Sequence, residues 1–283
     1  MKKILIACSL LFVTILSFAT QDLPENAGDN LDLNEVLNLF EKSASVEDFE
    51  NQLNSEKNNV NNLDLNEDGF VDYIRVIDYS YGNTHSLTLQ VPYSDKEAQD
   101  VAVIQIEEEG DLSTVQIIGD EDLYGEGYII EPGTADSKEI VNVYNWKPIR
   151  HIYSPKYVIW VSPWRYGRFP AHYKPWKPVP WMTYRARVRH NHIPCRRVSI
   201  YRSHKAHNYY RKYRTHSPTY HTHHGHKSAG AKKKTKNAKP APAPQKSSNL
   251  KTSAGKPTKR PGGTKNSSSK NKSGGKNKTK KRR

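Results

Sequence analysis

The chain has 283 residues, a formal net charge of +15, and hydrophobic residues make up 35% of it. All 29 acidic residues lie between Asp22 and Glu139, and no acidic residue follows Glu139. This segregation excludes an evenly mixed surface charge, and it predicts either different partners for the two halves or one half folding onto the other.

The first residues predict an export signal. Lys2 and Lys3 precede the apolar run from Ile4 to Phe18, and Ser17 to Ala19 form a small-x-small cleavage site. We therefore expect a signal peptide at residues 1–19 and an exported mature chain, located in the periplasm, at the outer envelope or in the medium. No later segment is apolar enough to predict a transmembrane span.

Residues 20–145 have the apolar periodicity of a folded domain. Leu31 to Phe40 predict one helix, and Ser45 predicts the N-cap of a second, because acidic residues follow it in the first turn. Five strand-like runs separated by turn residues come next: Tyr73 to Tyr81, His85 to Val91, Val101 to Glu107, Thr114 to Ile118 and Tyr128 to Ile130. Helices followed by a series of strands predict an α+β fold built on an antiparallel β-meander.

The composition changes near residue 145. Residues 146–226 are rich in Trp, Tyr, His, Pro and basic side chains, and proline at this frequency predicts an extended arm. Within the arm, Lys156 to Val161 is compatible with a strand added to the sheet of the first domain. Residues 227–283 contain almost no apolar side chains and predict a disordered Lys-rich tail, because little buried surface would offset the entropy of ordering.

One stretch, "DLNEDGFVDYIR" at residues 64–75, indicates defined site chemistry. A twelve-residue calcium loop takes ligands from positions 1, 3, 5, 7 and 9 and a bidentate acid from position 12, with Gly at position 6. Gly69 occupies position 6, but Arg75 at position 12 does not ligate, so we expect a dissociation constant of about 10⁻⁴ to 10⁻³ M. The predicted calcium ligands are Asp64, Asn66, Asp68, the carbonyl of Phe70, and Asp72. The alternative is a metal-free turn in which Asp and Asn side chains cap their own backbone.

The loop resembles the calcium loops of the EF-hand and dockerin families, and more closely the D-x-N-x-D-G-x-x-D loops of FG-GAP and VCBS repeats. The latter resemblance implies a loop that precedes a strand, with the carboxylate at position 9 completing the site. The strand-like run after Asp72 favours that version. The overall layout, a "DLNxDGxVDYIRV" domain joined to a Trp-, Arg- and Pro-rich arm, resembles exported proteins of Bacteroidetes-type bacteria and implies an envelope location.

Basic and aromatic side chains alternate along the arm, including "NYYRKYR" from Asn208 to Arg214. Such a surface pairs with phosphate or carboxylate through its cations and stacks on sugars, bases or lipid headgroups through its rings. The predicted polyanion-binding residues are Arg165, Arg168, Lys174, Lys177, Arg185, Arg187 and Arg189. Outside the cell the partner would be lipopolysaccharide, an anionic polysaccharide or extracellular nucleic acid. The alternative is intramolecular pairing of the arm with the acidic domain.

Two groups of side chains have ligand types suited to zinc or copper. One consists of His190, His192 and Cys195, and the other of His221, His223, His224 and His226. Irregular spacing and the absence of acidic residues nearby in the sequence favour a solvated His-rich stretch over a dedicated metal site. Cys195 is the only cysteine after the signal peptide, so we expect no intramolecular disulfide.

The common catalytic motifs are absent: the chain has no Gly-x-Ser-x-Gly elbow, no His-Glu-x-x-His helix and no phosphate-binding Gly loop. The leading hypothesis is a non-enzymatic exported envelope protein, with a calcium-binding domain and a polycationic region that binds lipopolysaccharide or an acidic glycan. The alternatives are a nucleic-acid-binding protein and a His-rich metal-binding protein.

Overall fold

A computed structural model describes residues 24–188 and 193–224. The predicted signal peptide at residues 1–19 and the predicted tail at residues 227–283 lie outside the described residues. The same is true of four predicted site residues: Arg189, His190, His192 and His226.

Two capped helices begin the fold, α1 (Leu33–Lys42) and α2 (Val46–Leu53). The Asp32 carboxylate accepts from the Asn34 amide at 2.8 Å, and Ser45 Oγ accepts from the Asp48 amide at 3.1 Å, which confirms Ser45 as the N-cap of α2. Four further helices follow: α3 (Glu121–Tyr124), α4 (Lys147–Ile152), α5 (Trp181–Val188) and α6 (His204–Tyr210). Within the described ranges, no helix is long and apolar enough to cross a membrane.

The strands form one antiparallel sheet in chain order, which confirms the predicted α+β class with an antiparallel meander. Tight turns join the first four strands, so each strand lies beside the next one in sequence. The strands are β1 (Arg75–Tyr81), β2 (Thr84–Pro92), β3 (Ala98–Glu109), β4 (Leu112–Gly119), β5 (Ile129–Pro132) and β6 (Cys195–Val198). The sequence patterns predicted the first five and missed β6.

One face of the sheet packs against α1 and α2. Leu87 and Leu89 of β2 and Ile104 of β3 are fully buried there, and the rings of Phe40 and Phe49 meet edge to face at 5.3 Å above them. Fully burying each such side chain contributes about 1.5 to 3 kcal/mol relative to exposure. This face is therefore the apolar core of the protein.

The opposite face of the sheet is polar. It is covered by residues of the basic C-terminal segment, a name used here for residues 146–188 and 193–224. All nine residues of β2 are buried, so both faces of that strand are covered. α6 lies over the first three strands, and its Tyr210 joins a small apolar cluster with Val103, Ile118 and Ile129.

Residues 146–188 and 193–224 pack against residues 24–145 and contribute α4, α5, α6 and β6. Lys156 to Val161 adds a single bridge to the edge of the sheet: the Asp78 amide donates to the Trp160 carbonyl at 2.8 Å, and Val161 pairs with Ile77. Prolines lie at the starts of three of these elements: Pro148 in the first turn of α4, Pro180 before α5 and Pro194 before β6.

A buried carboxylate ties this segment to the domain. Glu50 of α2 is 1% exposed and accepts four hydrogen bonds, from Tyr73 Oη at 2.9 Å, the Val76 amide at 2.9 Å, Trp160 Nε1 at 3.0 Å and Ser162 Oγ at 2.7 Å. Burial raises the pKa of Glu50, although these hydrogen bonds oppose the shift. One side chain thus joins α2, β1 and the C-terminal segment.

We expect Glu50→Ala to lower the free energy of unfolding by about 3 kcal/mol or more, because four donors lose their acceptor and a cavity opens. Glu50→Gln retains an acceptor and should cost less. Because the pKa of Glu50 is raised in the folded state, its contribution to stability is present at low pH and declines as the pH rises through the raised value.

The cost of Glu50→Gln relative to the unmodified protein should therefore be smaller at about pH 8 than at about pH 4, as measured by urea unfolding. Equal losses for the Gln and Ala variants at both pH values would contradict a role for this carboxylate as an acceptor.

Candidate functional site

The aspartate loop has its side-chain oxygens turned onto its own backbone. The Asp64 carboxylate accepts from the amides of Asp68 and Gly69 at 3.1 and 3.0 Å, and Asn66 Oδ1 accepts from the Asp68 amide at 3.0 Å. Gly69 has φ +83°, and Glu67 has φ +57°. This conformation is common to calcium loops and to metal-free Asx turns, because both require positive φ and acceptors that face inward.

Asp72 lies at the end of the loop and binds back to its beginning. Its side chain is 8% exposed, and Oδ2 accepts from the Leu65 amide at 2.5 Å. Burial, together with the nearby carboxylates of Asp64 and Asp68, raises the pKa of Asp72 to about 7, although the hydrogen bond from the Leu65 amide opposes the shift. Three of the predicted calcium ligands therefore have carboxylates close enough to repel one another. Phe70 is 45% exposed. Its predicted role as a calcium ligand involves the backbone carbonyl and not the ring.

Among the residues that the structure describes, the predicted histidine ligands do not converge on a common point. His221 Nε2 lies 3.0 Å from Asp122 Oδ2, while His224 stacks on Tyr220 at 4.5 Å and has Nε2 3.9 Å from Glu67 Oε1. In the part of the chain that is described, no group of three or more His, Cys, Asp or Glu side chains is arranged to hold a metal ion. His223 is exposed.

Cys195 lies in β6 and is free. Burial raises the pKa of its thiol to about 12, so the reactive thiolate is disfavoured at neutral pH. The predicted partners of Cys195 in a metal site, His190 and His192, are outside the described residues.

Three arginines of the C-terminal segment pair with acidic residues of β5 and of the start of α3. Arg196 and Arg202 both contact Glu131 Oε1, at 2.8 and 2.7 Å, and Glu131 is 4% exposed in its side chain. Burial alone would raise the pKa of Glu131, but the hydrogen bonds from Arg202 and Arg196 lower it below its ordinary value. Arg214 contacts three carboxylates in a row: Asp120 at 2.7 Å, Glu121 at 3.0 Å and Asp122 at 2.8 Å. Intramolecular pairing, the alternative for the basic region, therefore holds for these three arginines.

The aromatic residues of "NYYRKYR" are also used within the molecule. Tyr213 stacks on Tyr79 with ring centroids 4.9 Å apart, and Tyr209 stacks on Tyr81 at 5.1 Å. Tyr79 and Tyr81 belong to β1, so this stretch covers the edge of the sheet.

The predicted polyanion-binding cations between residues 165 and 187 have a different environment. All six are exposed: Arg165, Arg168, Lys174, Lys177, Arg185 and Arg187. Arg187 approaches the Asn59 side chain at 3.4 Å. Within residues 24–188 and 193–224, Arg165, Arg168, Lys174 and Lys177 have no acidic partner. The structure thus separates Arg196, Arg202 and Arg214, which have acidic partners, from Arg165, Arg168, Lys174 and Lys177, which have none among the described residues.

Arg165 and Arg168 line a cavity of about 750 Å³. Its floor is formed by β1 and β2, and Arg75 projects into it as a half-buried side chain. The Arg75 guanidinium donates to Gln90 Oε1 and, at 3.4 Å, to the Trp164 carbonyl. We call this space the arginine cavity. Its walls also carry Lys96, Asp95 and Glu97.

In the arginine cavity, Arg75, Arg165, Arg168 and Lys96 outnumber Asp95 and Glu97, and no carboxylate contacts Arg75 among the described residues. Burial lowers the pKa of Arg75 and the charge of Arg165 also lowers it, whereas the charges of Asp100 and Glu50 oppose the shift. An anion that enters the cavity would offset the cost of burying the Arg75 guanidinium and its repulsion with the Arg165 guanidinium. The sequence patterns placed Arg75 only at position 12 of the aspartate loop and did not indicate it as a polyanion-binding residue. Its position on the polar face of β1 was the signal that could have done so.

We expect Glu131→Gln to lower the free energy of unfolding by about 3 kcal/mol or more at neutral pH, because it leaves Arg196 buried with an unpaired charge. The matched change Glu121→Gln removes a carboxylate that is 54% exposed, and it should cost less than about 1 kcal/mol. Because the pKa of Glu131 is lowered, its contribution is present above the ordinary Glu pKa and is lost as the pH falls. Urea unfolding measures the loss of unfolding free energy in each variant. Equal losses for Glu131→Gln and Glu121→Gln would contradict the prediction.

No family model matches the chain, and neither the curated proteins nor the solved structures contain a significant match to it. Its function is therefore inferred from its own residues.

Proposed function

We propose that this chain is a non-enzymatic, exported envelope protein that binds an anionic polymer, either lipopolysaccharide or an acidic glycan, through the exposed cations of residues 165–187. The observation that carries the proposal is the division of charge. Arg196, Arg202 and Arg214 have acidic partners, whereas Arg165 and Arg168 do not have one within the described ranges.

The cations are spaced among aromatic rings that remain accessible. Tyr166, between Arg165 and Arg168, is 39% exposed, and Trp176 and Trp181 are partly exposed. A polymer that carries both charges and flat apolar faces would contact the cations and the rings together. The N-terminal sequence supports export, and outside the cytoplasm such polymers are the abundant anions.

The test is salt-dependent binding of the full chain to lipopolysaccharide, to a polyuronate and to duplex DNA. The variant combines Arg165→Gln, Arg168→Gln, Lys174→Gln and Lys177→Gln. The control removes four charges from the predicted tail by combining Lys232→Gln, Lys233→Gln, Lys234→Gln and Lys236→Gln. We expect affinity to fall steeply with salt, and the first variant to lose more affinity than the control, because its charges lie at the proposed site.

On duplex DNA, each phosphate contact that is lost flattens the dependence of log K on log salt by about 0.9, so the slope measured with DNA reports how many contacts the variant removes. Binding that does not depend on salt, or equal losses for the two variants, would contradict the proposal. Tight binding to DNA with none to the other two polymers would identify a nucleic-acid-binding protein instead.

We also propose that the aspartate loop binds calcium and stabilises the segment that leads into β1. The carboxylates of Asp64 and Asp68 repel that of Asp72, and side chains that are not arranged around an ion in this structure would turn toward a divalent cation that offsets this repulsion. The predicted amide oxygen of Asn66 and the carbonyl of Phe70 would complete an oxygen-only ligand set, which is the set that calcium prefers.

Calorimetry of the full chain should give a dissociation constant of about 10⁻⁴ to 10⁻³ M for calcium. With about 10 mM calcium and a dissociation constant of about 1 mM, the free energy of unfolding should rise by about 1.4 kcal/mol. Asp68→Ala should abolish both effects, while the control Asp136→Ala changes an exposed acid outside the loop and should preserve them. An unmodified protein that shows neither heat nor stabilisation at 10 mM calcium has a metal-free turn.

A further inference from the structure

A second cavity, of about 440 Å³, lies between the aspartate loop and the C-terminal segment. We call it the aromatic cavity, because rings make up much of its lining. The Tyr73 ring stacks on Phe169 at 5.5 Å and meets Tyr173 edge to face at 5.0 Å. Phe70 and Tyr166 are 45% and 39% exposed at its opening. The packed rings are held in place, while the two outer rings are accessible to a ligand.

The two cavities are adjacent. Both are lined by Pro92 and Tyr166. A tight turn from Arg165 to Arg168 forms the ridge between them, closed by reciprocal backbone hydrogen bonds of 3.1 and 2.9 Å. Gly167, at φ +66°, allows this turn. Arginine side chains of the turn line one cavity, and Tyr166 and Gly167 line the other, so one ligand can contact both sides of the ridge.

The two cavities offer complementary chemistry. The arginine cavity presents guanidinium groups, which pair with carboxylate or phosphate in a bidentate manner. The aromatic cavity presents rings, together with the side chains of Asn66, Asp68 and Asp72 from the aspartate loop. Carboxylate and amide oxygens accept hydrogen bonds from hydroxyl groups. Both volumes lie within the range of about 300 to 1,000 Å³ that is typical of small-ligand sites.

The acidic side chains beside the aromatic cavity distinguish among polyanions. Duplex nucleic acid carries a charge about every 1.7 Å along its axis, and such a density would bring phosphates against Asp68 and Asp72. An acidic polysaccharide has one charge on each acidic sugar, together with hydroxyl groups and apolar ring faces. Its carboxylate fits the arginine side, and its hydroxyl groups and ring face fit the aromatic side.

We propose that the arginine and aromatic cavities form one site for an acidic polysaccharide of the uronic-acid class, with a carboxylate held by Arg75, Arg165 and Arg168 and the neighbouring sugar ring packed on Phe70 and Tyr166. This inference rests on the proposed polyanion-binding function and names the ligand class and the residues of that site. Arg75 adds a strand residue to a set that otherwise comes from the C-terminal segment.

The experiment titrates the full chain with a uronic-acid tetrasaccharide, its methyl-esterified form and a single-stranded DNA tetranucleotide, at one salt concentration. The variants are Arg75→Gln on the arginine side and Tyr166→Ala on the aromatic side. The controls are Arg150→Gln and Tyr144→Ala, which change an exposed arginine and an exposed tyrosine outside both cavities. Thermal melts verify that each variant is folded. If Arg75→Gln is not folded, Arg165→Gln, an exposed residue of the same cavity, replaces it.

We expect each cavity variant to weaken binding of the uronic-acid tetrasaccharide about tenfold or more, which corresponds to about 1.4 kcal/mol, and the controls to stay within about twofold. The methyl ester removes the carboxylate charge, so it should bind more weakly, remain sensitive to Tyr166→Ala and lose its sensitivity to Arg75→Gln.

Three results would overturn the inference: an ester that binds as tightly as the acid, a Tyr166→Ala variant that binds the acid normally, or a DNA tetranucleotide that binds more tightly than the acid. In each case, salt-dependent binding to lipopolysaccharide or a polyuronate would leave the broader proposal standing. If neither polymer binds, the broader proposal fails and this inference fails with it.

Discussion

The fold depends on buried carboxylates whose hydrogen-bond donors come from the other half of the chain. Glu50, Asp100, Asp120 and Glu131 are each at most 5% exposed. Their partners after residue 146 are Trp160, Ser162, Arg196, Arg202, Tyr210, Arg214 and Thr215. A buried carboxylate without donors costs several kcal/mol. The basic half therefore supplies hydrogen-bond donors to the buried carboxylates of the acidic half, and neither half is expected to be stable alone.

The same constraint explains how the basic half is divided. Within residues 195–217, Arg196 and Arg202 pair with Glu131 of β5, and Arg214 pairs with acidic residues at the start of α3. The residues around 165–177 follow the rim between the sheet and the aspartate loop, where no acidic side chain contacts Arg165 or Arg168 in the described part. Part of the strongly basic composition is thus structural, whereas Arg165 and Arg168 at that rim have no acidic contact among the described residues.

Local patterns in the sequence were sufficient for the α+β class, the Ser45 cap and the first five strands, because each depends on neighbours within a few residues. β6 was missed because Arg196 and Arg197 interrupt its apolar pattern, and the pairing of Arg196 with Glu131, which compensates that charge, spans 65 residues. The sequence could not separate paired from unpaired arginines for the same reason, because their acidic partners are distant in the sequence. Composition counts charges, whereas the partner of each charge is set by the folded sheet.

The pairing of β5 with β6 has a consequence for the order of folding. The strands β1 to β4 close through short turns, whereas Ile129 meets Val198 only after a long intervening segment has been ordered. Until then β5 is an unprotected edge, open to pairing with another chain. A polypeptide that emerges with its N-terminus first would form the meander early and pass through an aggregation-prone intermediate, and docking of the C-terminal segment would be its slow final step.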